Sequence, residues 1–125
     1  MKVVETVRLD EATKKRLSTL KRRTGIANWN VLCRWAFCLS LTEPNRPREV
    51  FAGAGDGIEM TWKVFAGEYG AMYATLLLDR CQEEHGDTST HNLNMCLREH
   101  ITRGVGYILG KKSATDIAGF IKLAL

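Results

Sequence analysis

The residues with the clearest chemical potential are cations near the N-terminus. Lys21, Arg22 and Arg23 are consecutive, and Lys14 and Lys15 lie about two helical turns before them. Lysine and arginine side chains neutralise phosphates and release the counterions of a nucleic acid. Cations beside a helix N-terminus can therefore hold a phosphodiester backbone. The alternative is that these side chains only solvate a helix.

Two Cys-x-x-x-His steps are a second candidate, at Cys81 to His85 and at Cys96 to His100. Each step spans about one helical turn, so two facing helices could supply four ligands to a tetrahedral zinc ion. Neither step has the tight spacing of structural zinc motifs. We therefore favour buried cysteines and helix-end histidines, and we expect neither a metal nor a cofactor.

A glycine cluster over residues 53–57 invites a nucleotide-binding interpretation. It lacks the lysine and hydroxyl of a phosphate loop, and it precedes a strand instead of following one. A flexible turn is the better interpretation. No Ser/His/Asp set and no paired carboxylates with catalytic spacing stand out. We therefore expect a protein that is not an enzyme.

Charge is distributed unevenly along the 125 residues. Residues 1–48 hold eleven Lys and Arg against four acids, a net +7, and residues 49–125 hold seven against ten, a net −3. Such polarity favours one face for a polyanion and another for protein contacts. The length fits a single domain over residues 1–125. No segment is apolar enough to span a bilayer or to serve as a signal core, and we expect a soluble cytoplasmic protein with reduced cysteines.

The first forty-one residues predict one strand and two helices. Residues 3–9 alternate as a strand does, with the Val7 and Leu9 side facing the core. Asp10 is placed to cap a helix that continues to about residue 23, and Gly25 is its natural end. Asn28 can cap a second helix over residues 29–41.

A strand, a capped helix, a turn and a second helix together resemble a ribbon-helix-helix unit. In that fold two chains pair their single strands, and the N-terminus of the second helix approaches a phosphate. Arg8 would then lie near the basic cluster. The alternative is a strand that pairs within its own chain, against residues 58–65.

The second helix is apolar on all sides, because ten of its thirteen residues are apolar or cysteine. Such a helix must be covered all round. Either the second half of the chain or another copy must cover it, and we favour oligomerisation. Trp29, Trp35 and Phe37 are expected in the core or in the oligomer interface.

The fold class predicted is mainly α with short strands. A ribbon-helix-helix-like basic part over residues 1–43 precedes a mainly helical part over residues 44–125. That second part begins with a linker marked by Pro44 and Pro47 and contains a short strand near residues 58–65. Helices are predicted over residues 69–85, from Ser89 or Thr90 to about 109, and over residues 114–123.

The run Arg22-Arg23-Thr24-Gly25-Ile26, followed by the tryptophan-rich helix from Asn28 to Leu41, resembles the DndE family of DNA phosphorothioation, or DNA sulfur modification, systems. The resemblance is densest over residues 8–48. It implies a homo-oligomer, a tetramer, that binds double-stranded DNA, including nicked duplex. It also implies work beside the other sulfur-modification proteins without catalysis of sulfur transfer, and no association with membranes.

On this basis the predicted role is a non-catalytic DNA-binding accessory subunit. Its predicted contacts are Arg8, Lys14, Lys15, Lys21, Arg22, Arg23, Thr24 and Gly25. The alternative is a ribbon-helix-helix transcriptional repressor that reads bases through Thr6 and Arg8. A zinc-dependent protein that uses the two Cys-x-x-x-His steps is a third possibility.

Overall fold

A computed structural model describes residues 3–48 and 57–110. Over these residues the chain forms five α-helices and a two-stranded sheet. The elements are β1 (Thr6–Leu9), α1 (Glu11–Thr24), α2 (Trp29–Leu41), β2 (Ile58–Thr61), α3 (Trp62–Ala66), α4 (Gly70–His85) and α5 (Thr90–Gly110), with a 3-10 helix (Gly67–Tyr69) before α4. The mainly helical fold with short strands is confirmed. The predicted helix over residues 114–123 and most of the glycine cluster lie outside the described residues.

The order of strand, helix and helix at the N-terminus is confirmed, with α1 bounded as predicted. The Asp10 side chain accepts a hydrogen bond from the Thr13 amide at 2.8 Å, which caps the first turn. Gly25 ends α1 in the left-handed conformation at φ 75°, and its amide donates to the Lys21 carbonyl. Glycine takes this conformation without the steric cost that a Cβ brings.

Strand β1 pairs within its own chain. It lies antiparallel to β2, with Thr6 opposite Thr61 and Leu9 opposite Ile58. This is the alternative that the sequence left open. Val7 and Leu9 are buried and Arg8 is exposed, as the alternation predicts.

The predicted strand over residues 58–65 is wrong in its second half. The strand ends at Thr61, whose side chain accepts a hydrogen bond from the Val64 amide and caps the short helix α3. Trp62 and Phe65 are therefore buried side chains of a helix and not of a strand. A four-residue alternation cannot distinguish these outcomes, because a helical turn can also bury positions three apart.

Helix α2 lies at the centre of the molecule and packs most extensively against α5. The two helices approach closely where Gly104 faces Ala36: a Cβ on Gly104 would stand 1.8 Å from the Ala36 carbonyl oxygen. Phe37 is fully buried and contacts the rings of Phe65 and Tyr73, at 5.9 and 6.2 Å between centroids. The second half of the chain thus covers much of α2, and none of its residues is exposed.

Apolar residues that remain exposed lie elsewhere. Tyr69, Met72 and Leu76 follow the spacing of one helix face on α4 and are 62%, 48% and 37% exposed, and Val64 on α3 is 49% exposed. Over the described ranges, no helix has both the length and the apolar composition of a membrane span.

Candidate nucleic-acid interface

The basic joint, defined as Lys21, Arg22 and Arg23, occupies the last turn of α1. Cations at this position suit the negative end of the helix dipole. Arg22 and Arg23 are exposed. The Lys21 ammonium lies 4.0 Å from the centroid of the Trp29 ring, the first residue of α2. The fold therefore places a cation beside the N-terminus of the second helix, as the sequence predicts.

The N-terminus of α2 offers open backbone donors. Asn28 has the extended conformation of an N-cap residue, but its side chain makes no capping hydrogen bond. The first amides of a helix have no intrahelical partner, and an anion can satisfy them. Asn28 is exposed, and the contact between Lys21 and Trp29 places the basic joint close to this helix end.

Thr24 and Gly25 build the turn between the two helices. The Thr24 side chain is buried; its hydroxyl donates to the Leu20 carbonyl at 2.7 Å and accepts from the Ile26 amide at 3.2 Å. A buried hydroxyl with both bonds made cannot reach a ligand. Gly25 is exposed, with nothing within 4 Å of the position of a Cβ. Thr24 therefore positions the turn, and only Gly25 leaves backbone open to an approaching molecule.

Lys14 and Lys15 extend the basic surface along α1. Seven residues make two helical turns, so Lys14 lies above Lys21, and Lys15 lies above Arg22. Lys15 makes an exposed ion pair with Glu11 at 3.6 Å. Exposed pairs of this kind contribute little stability, so a phosphate can replace the carboxylate.

Arg16 completes this surface and was missed by the sequence reasoning. It is exposed and lies two helical turns before Arg23, on a different side of α1 from Lys14 and Lys15. It also lines a groove with Arg48, Arg103 and Tyr107. The seven-residue spacing between two three-cation runs, 14–16 and 21–23, was the signal in the sequence.

The ion-pair partner of Arg8, Glu59, lines a groove with Asn28 and Trp29 at the N-terminus of α2. Arg8 stands in β1 just before the start of α1, whereas the joint is at the end of that helix. Its guanidinium pairs with Glu59 of β2 at 3.7 Å, and both side chains are more than 60% exposed. It shares a groove with Arg98 of α5. Thr6 lines the same groove.

A second cluster of titratable side chains is buried between α4 and α5. The structure brings Cys96 and His100 together, as the second Cys-x-x-x-His step predicts, and Cys81 lies beside Cys96. It points His85 elsewhere, to Glu99 at 3.5 Å. Glu84 takes the place that His85 was expected to fill, with Oε1 2.9 Å from His100 Nε2 and 3.9 Å from Cys96 Sγ.

His100 is held neutral by its surroundings. Burial lowers its pKa to about 4, against the opposing effect of the hydrogen bond to Glu84. With the carboxylate as acceptor, Nε2 donates to Glu84, and Nδ1 accepts from the Ser40 hydroxyl at 2.8 Å. Arg103 Nε donates to the same Ser40 oxygen at 2.8 Å.

Serine, histidine and glutamate in hydrogen-bonded order are also the components of a nucleophilic triad. Here Ser40 and His100 are fully buried, and Arg103 occupies the serine oxygen. A substrate cannot reach that hydroxyl. The cysteines are equally protected: burial raises the pKa of the Cys33 thiol to about 12, and burial and then Glu84 raise the pKa of Cys96.

The family comparison identifies the chain. The model of a family described as DNA sulphur modification protein DndE matches residues 6–116. The chain belongs to the DndE family. The match covers both the basic joint and the buried cluster between α4 and α5. Membership associates this DndE-family chain with DNA sulfur modification. A comparison with curated proteins finds no match.

Proposed function

We propose that this DndE-family chain is a non-catalytic DNA-binding accessory subunit of a DNA phosphorothioation system. It holds double-stranded DNA, including nicked duplex, while other proteins of the system carry out sulfur transfer in the cytoplasm. The observation that carries the proposal is the position of Lys21 over Trp29. It brings the basic joint and the uncapped N-terminus of α2 to one exposed place.

The contacts proposed at this place go to phosphates. Arg22 and Arg23 are exposed in the last turn of α1. The run Lys14-Lys15-Arg16 lies two helical turns before the run Lys21-Arg22-Arg23. Gly25 lets a backbone approach the turn. These groups are proposed to contact phosphates and not base edges, so the affinity for DNA would be similar for all duplex sequences.

The repressor alternative has less support. It requires a ribbon formed by β1 strands of two chains, with Thr6 and Arg8 facing the major groove. In this chain β1 pairs with β2, and the Arg8 guanidinium pairs with Glu59. A repressor would also bind one operator at least about a thousandfold more tightly than random duplex.

A role without catalysis is supported by the state of the reactive groups. Among the described residues, Ser40 is blocked by Arg103, His100 is enclosed, and Cys96 is buried as a thiol. Catalytic nucleophiles need access and an activated, deprotonated form. The proposed work of this chain is therefore to hold DNA.

Self-association is part of the proposal, as a homotetramer. Its support now lies on α4 and not on α2, because the chain itself covers α2. The stripe of Tyr69, Met72 and Leu76 consists of large apolar side chains open to solvent. Such patches mark protein contacts. A tetramer would repeat the basic joint at fixed spacing. Several joints could then bind one DNA molecule at the same time, which would raise the overall affinity.

The test replaces two exposed cations of the joint. We expect Arg22→Ala with Arg23→Ala to weaken binding to a random 30-mer duplex by at least about tenfold at 0.1 M salt, and to reduce the salt slope of log K by about 2. Fluorescence anisotropy across a salt series measures both. The control, Lys63→Ala with Lys122→Ala, removes the same charge outside α1 and should leave the slope nearly unchanged.

Equal losses in the two double variants would show that only net charge matters and would overturn the assignment to the joint. Parallel titrations with intact duplex, nicked duplex and single strand test the DNA class. The proposal requires both duplexes to bind more tightly than the single strand. A strong preference for one operator sequence would instead favour the repressor.

A further inference from the structure

Three potential metal ligands, Glu84, Cys96 and His100, converge between α4 and α5, and Cys81 lies beside Cys96. Cys81 and Glu84 are three residues apart on α4, and Cys96 and His100 are four apart on α5, so each pair shares one helix face. The Cys81, Cys96 and His100 side chains are fully buried, and that of Glu84 is 4% exposed. The Cys81 thiol neighbours Cys96 but donates to the Asp87 carbonyl oxygen at 3.3 Å, so it must turn from Asp87 to join the other three ligands.

The distances are close to those of a bound zinc ion. With bonds of about 2.3 Å to sulfur and about 2.1 Å to nitrogen and oxygen, tetrahedral ligand atoms stand about 3.4 Å apart for two nitrogen or oxygen atoms, about 3.6 Å for one of these and a sulfur, and about 3.8 Å for two sulfurs. Here Glu84 Oε1 lies 2.9 Å from His100 Nε2 and 3.9 Å from Cys96 Sγ. The ligand atoms of these three residues all lie within 4.8 Å of one another. Shifts of about half an ångström would bring Glu84 Oε1 to zinc-binding separations from both atoms.

Charge near the ligands is partly offset. Two thiolates and one carboxylate bring −3, and a divalent ion brings +2. The Arg80 guanidinium adds a positive charge, with Nη1 3.4 Å from Glu84 Oε2, and its Nε also pairs with the exposed Glu83 at 3.7 Å. Arg80 therefore holds the outer oxygen of Glu84 and leaves Oε1 facing the Cys96 thiol and the His100 imidazole.

The outer contacts of His100 fit a ligand role. A metal-bound histidine needs its second ring nitrogen to donate to an acceptor, which fixes the tautomer. Ser40 Oγ lies 2.8 Å from His100 Nδ1 and can accept that proton as well as the Arg103 Nε hydrogen, because a hydroxyl oxygen has two lone pairs. The ring is thus already oriented with Nε2 toward Glu84 and Cys96.

We propose that Cys81, Glu84, Cys96 and His100 form a structural zinc site that ties α4 to α5. On binding, the Cys81 and Cys96 thiols release one proton each to solvent and form two Zn–S bonds, with no change of oxidation state. The imidazole proton moves from Nε2 to Nδ1, where Ser40 accepts its hydrogen bond. Four protein ligands close the coordination sphere, which is the arrangement of a structural ion and not of a catalytic one.

The first test uses the full-length protein without variants. Metal-free protein is mixed with excess zinc chloride, desalted and analysed for metal, and we expect about one zinc per chain. Titration with cobalt chloride should give thiolate-to-cobalt charge-transfer bands. Chelation of the zinc form should lower the melting temperature by roughly 5 °C or more. Wild-type protein that retains no zinc and gives no charge-transfer bands would overturn the proposal.

Variants then test the ligand set. Cys96→Ser should reduce bound zinc at least about tenfold, whereas Cys33→Ser, at another fully buried thiol, should retain it. Glu84→Gln should weaken zinc binding and His85→Gln should not, because His85 faces Glu99. The reverse result would overturn this ligand set. Circular dichroism of each variant confirms folding, and the wild-type cobalt titration decides the question if a variant fails to fold.

Discussion

Several polar side chains between α2, α4 and α5 form hydrogen bonds with one another. The chain of hydrogen bonds from Arg103 through Ser40 and His100 to Glu84 ends at Arg80. Arg80 also donates to the carbonyl of the last residue of α2 at 2.7 Å. Each buried polar atom in this series has a partner, which is the condition under which burial of such groups is tolerated. The series links α2, α4 and α5.

His100 makes stability depend on pH. The folded state keeps His100 neutral down to about pH 4, because burial lowers its pKa, whereas the unfolded imidazole takes up a proton below its ordinary value of 6.5. Between these values the unfolded state binds more protons. The free energy of unfolding should therefore fall as pH is lowered from 6.5 toward 4, by up to about 1.4 kcal/mol per pH unit from this residue.

Urea unfolding of metal-free protein at several pH values measures this slope. His100→Asn should flatten it, and the control His91→Asn, at an exposed position, should retain the wild-type slope. A slope unchanged in His100→Asn would show that other groups cause the pH dependence.

At the scale of elements, the crossing of α2 and α5 depends on a missing side chain. A Cβ on Gly104 would lie 1.8 Å from the Ala36 carbonyl oxygen, and that atom is backbone. Gly106, about half a turn along the same helix, has nothing within 4 Å of the same position. The two glycines therefore have different roles although the sequence presents them alike.

Alanine substitutions separate these roles. Gly104→Ala should destabilise the protein by about 3 kcal/mol or more, because the helices must move apart at their central contact. Gly106→Ala should stabilise it by up to about 1 kcal/mol through helix propensity. Thermal and urea unfolding measure both changes, and a Gly104→Ala variant as stable as wild type would contradict the close crossing.

At the scale of the whole molecule, charge and apolar surface lie on different elements. The cations lie along α1, and the apolar stripe of Tyr69, Met72 and Leu76 lies on α4 and the turn before it. A molecule of this kind can assemble through one surface and bind a polyanion through the other. The proposed tetramer would have a mass of about 56 kDa, four times the 14.0 kDa of one chain.

Acidic substitutions in the apolar stripe on α4 test its proposed role in self-association. Met72→Glu with Leu76→Glu should lower the mass measured by sedimentation equilibrium, because buried unpaired carboxylates oppose association. The control, Thr90→Glu with His91→Glu, adds acids to the exposed first turn of α5, where the helix dipole favours them. It should leave the mass unchanged. A double variant on α4 with the wild-type mass would place the contact elsewhere.

Local chemistry in the sequence was enough to predict α1 and its surroundings. Asp10 and Gly25 define its two ends through short-range hydrogen bonds, and the cations of its last turn follow from composition alone. The helical end at Gly86 is likewise local, with φ at 81°. The family resemblance also rested on this region, and the match over residues 6–116 confirms it.

Only the tertiary structure decided which partners these elements have. β1 pairs with β2 across a separation of about fifty residues, and Glu84 instead of His85 meets Cys96 and His100. The all-round apolar α2 is covered by α5 because Gly104 permits a close crossing, so its composition did not require a second copy. Periodicity gives the direction of a side chain from its own helix axis. The rotation and approach of a facing helix depend on side chains packing together, and no local pattern in the sequence contains that information.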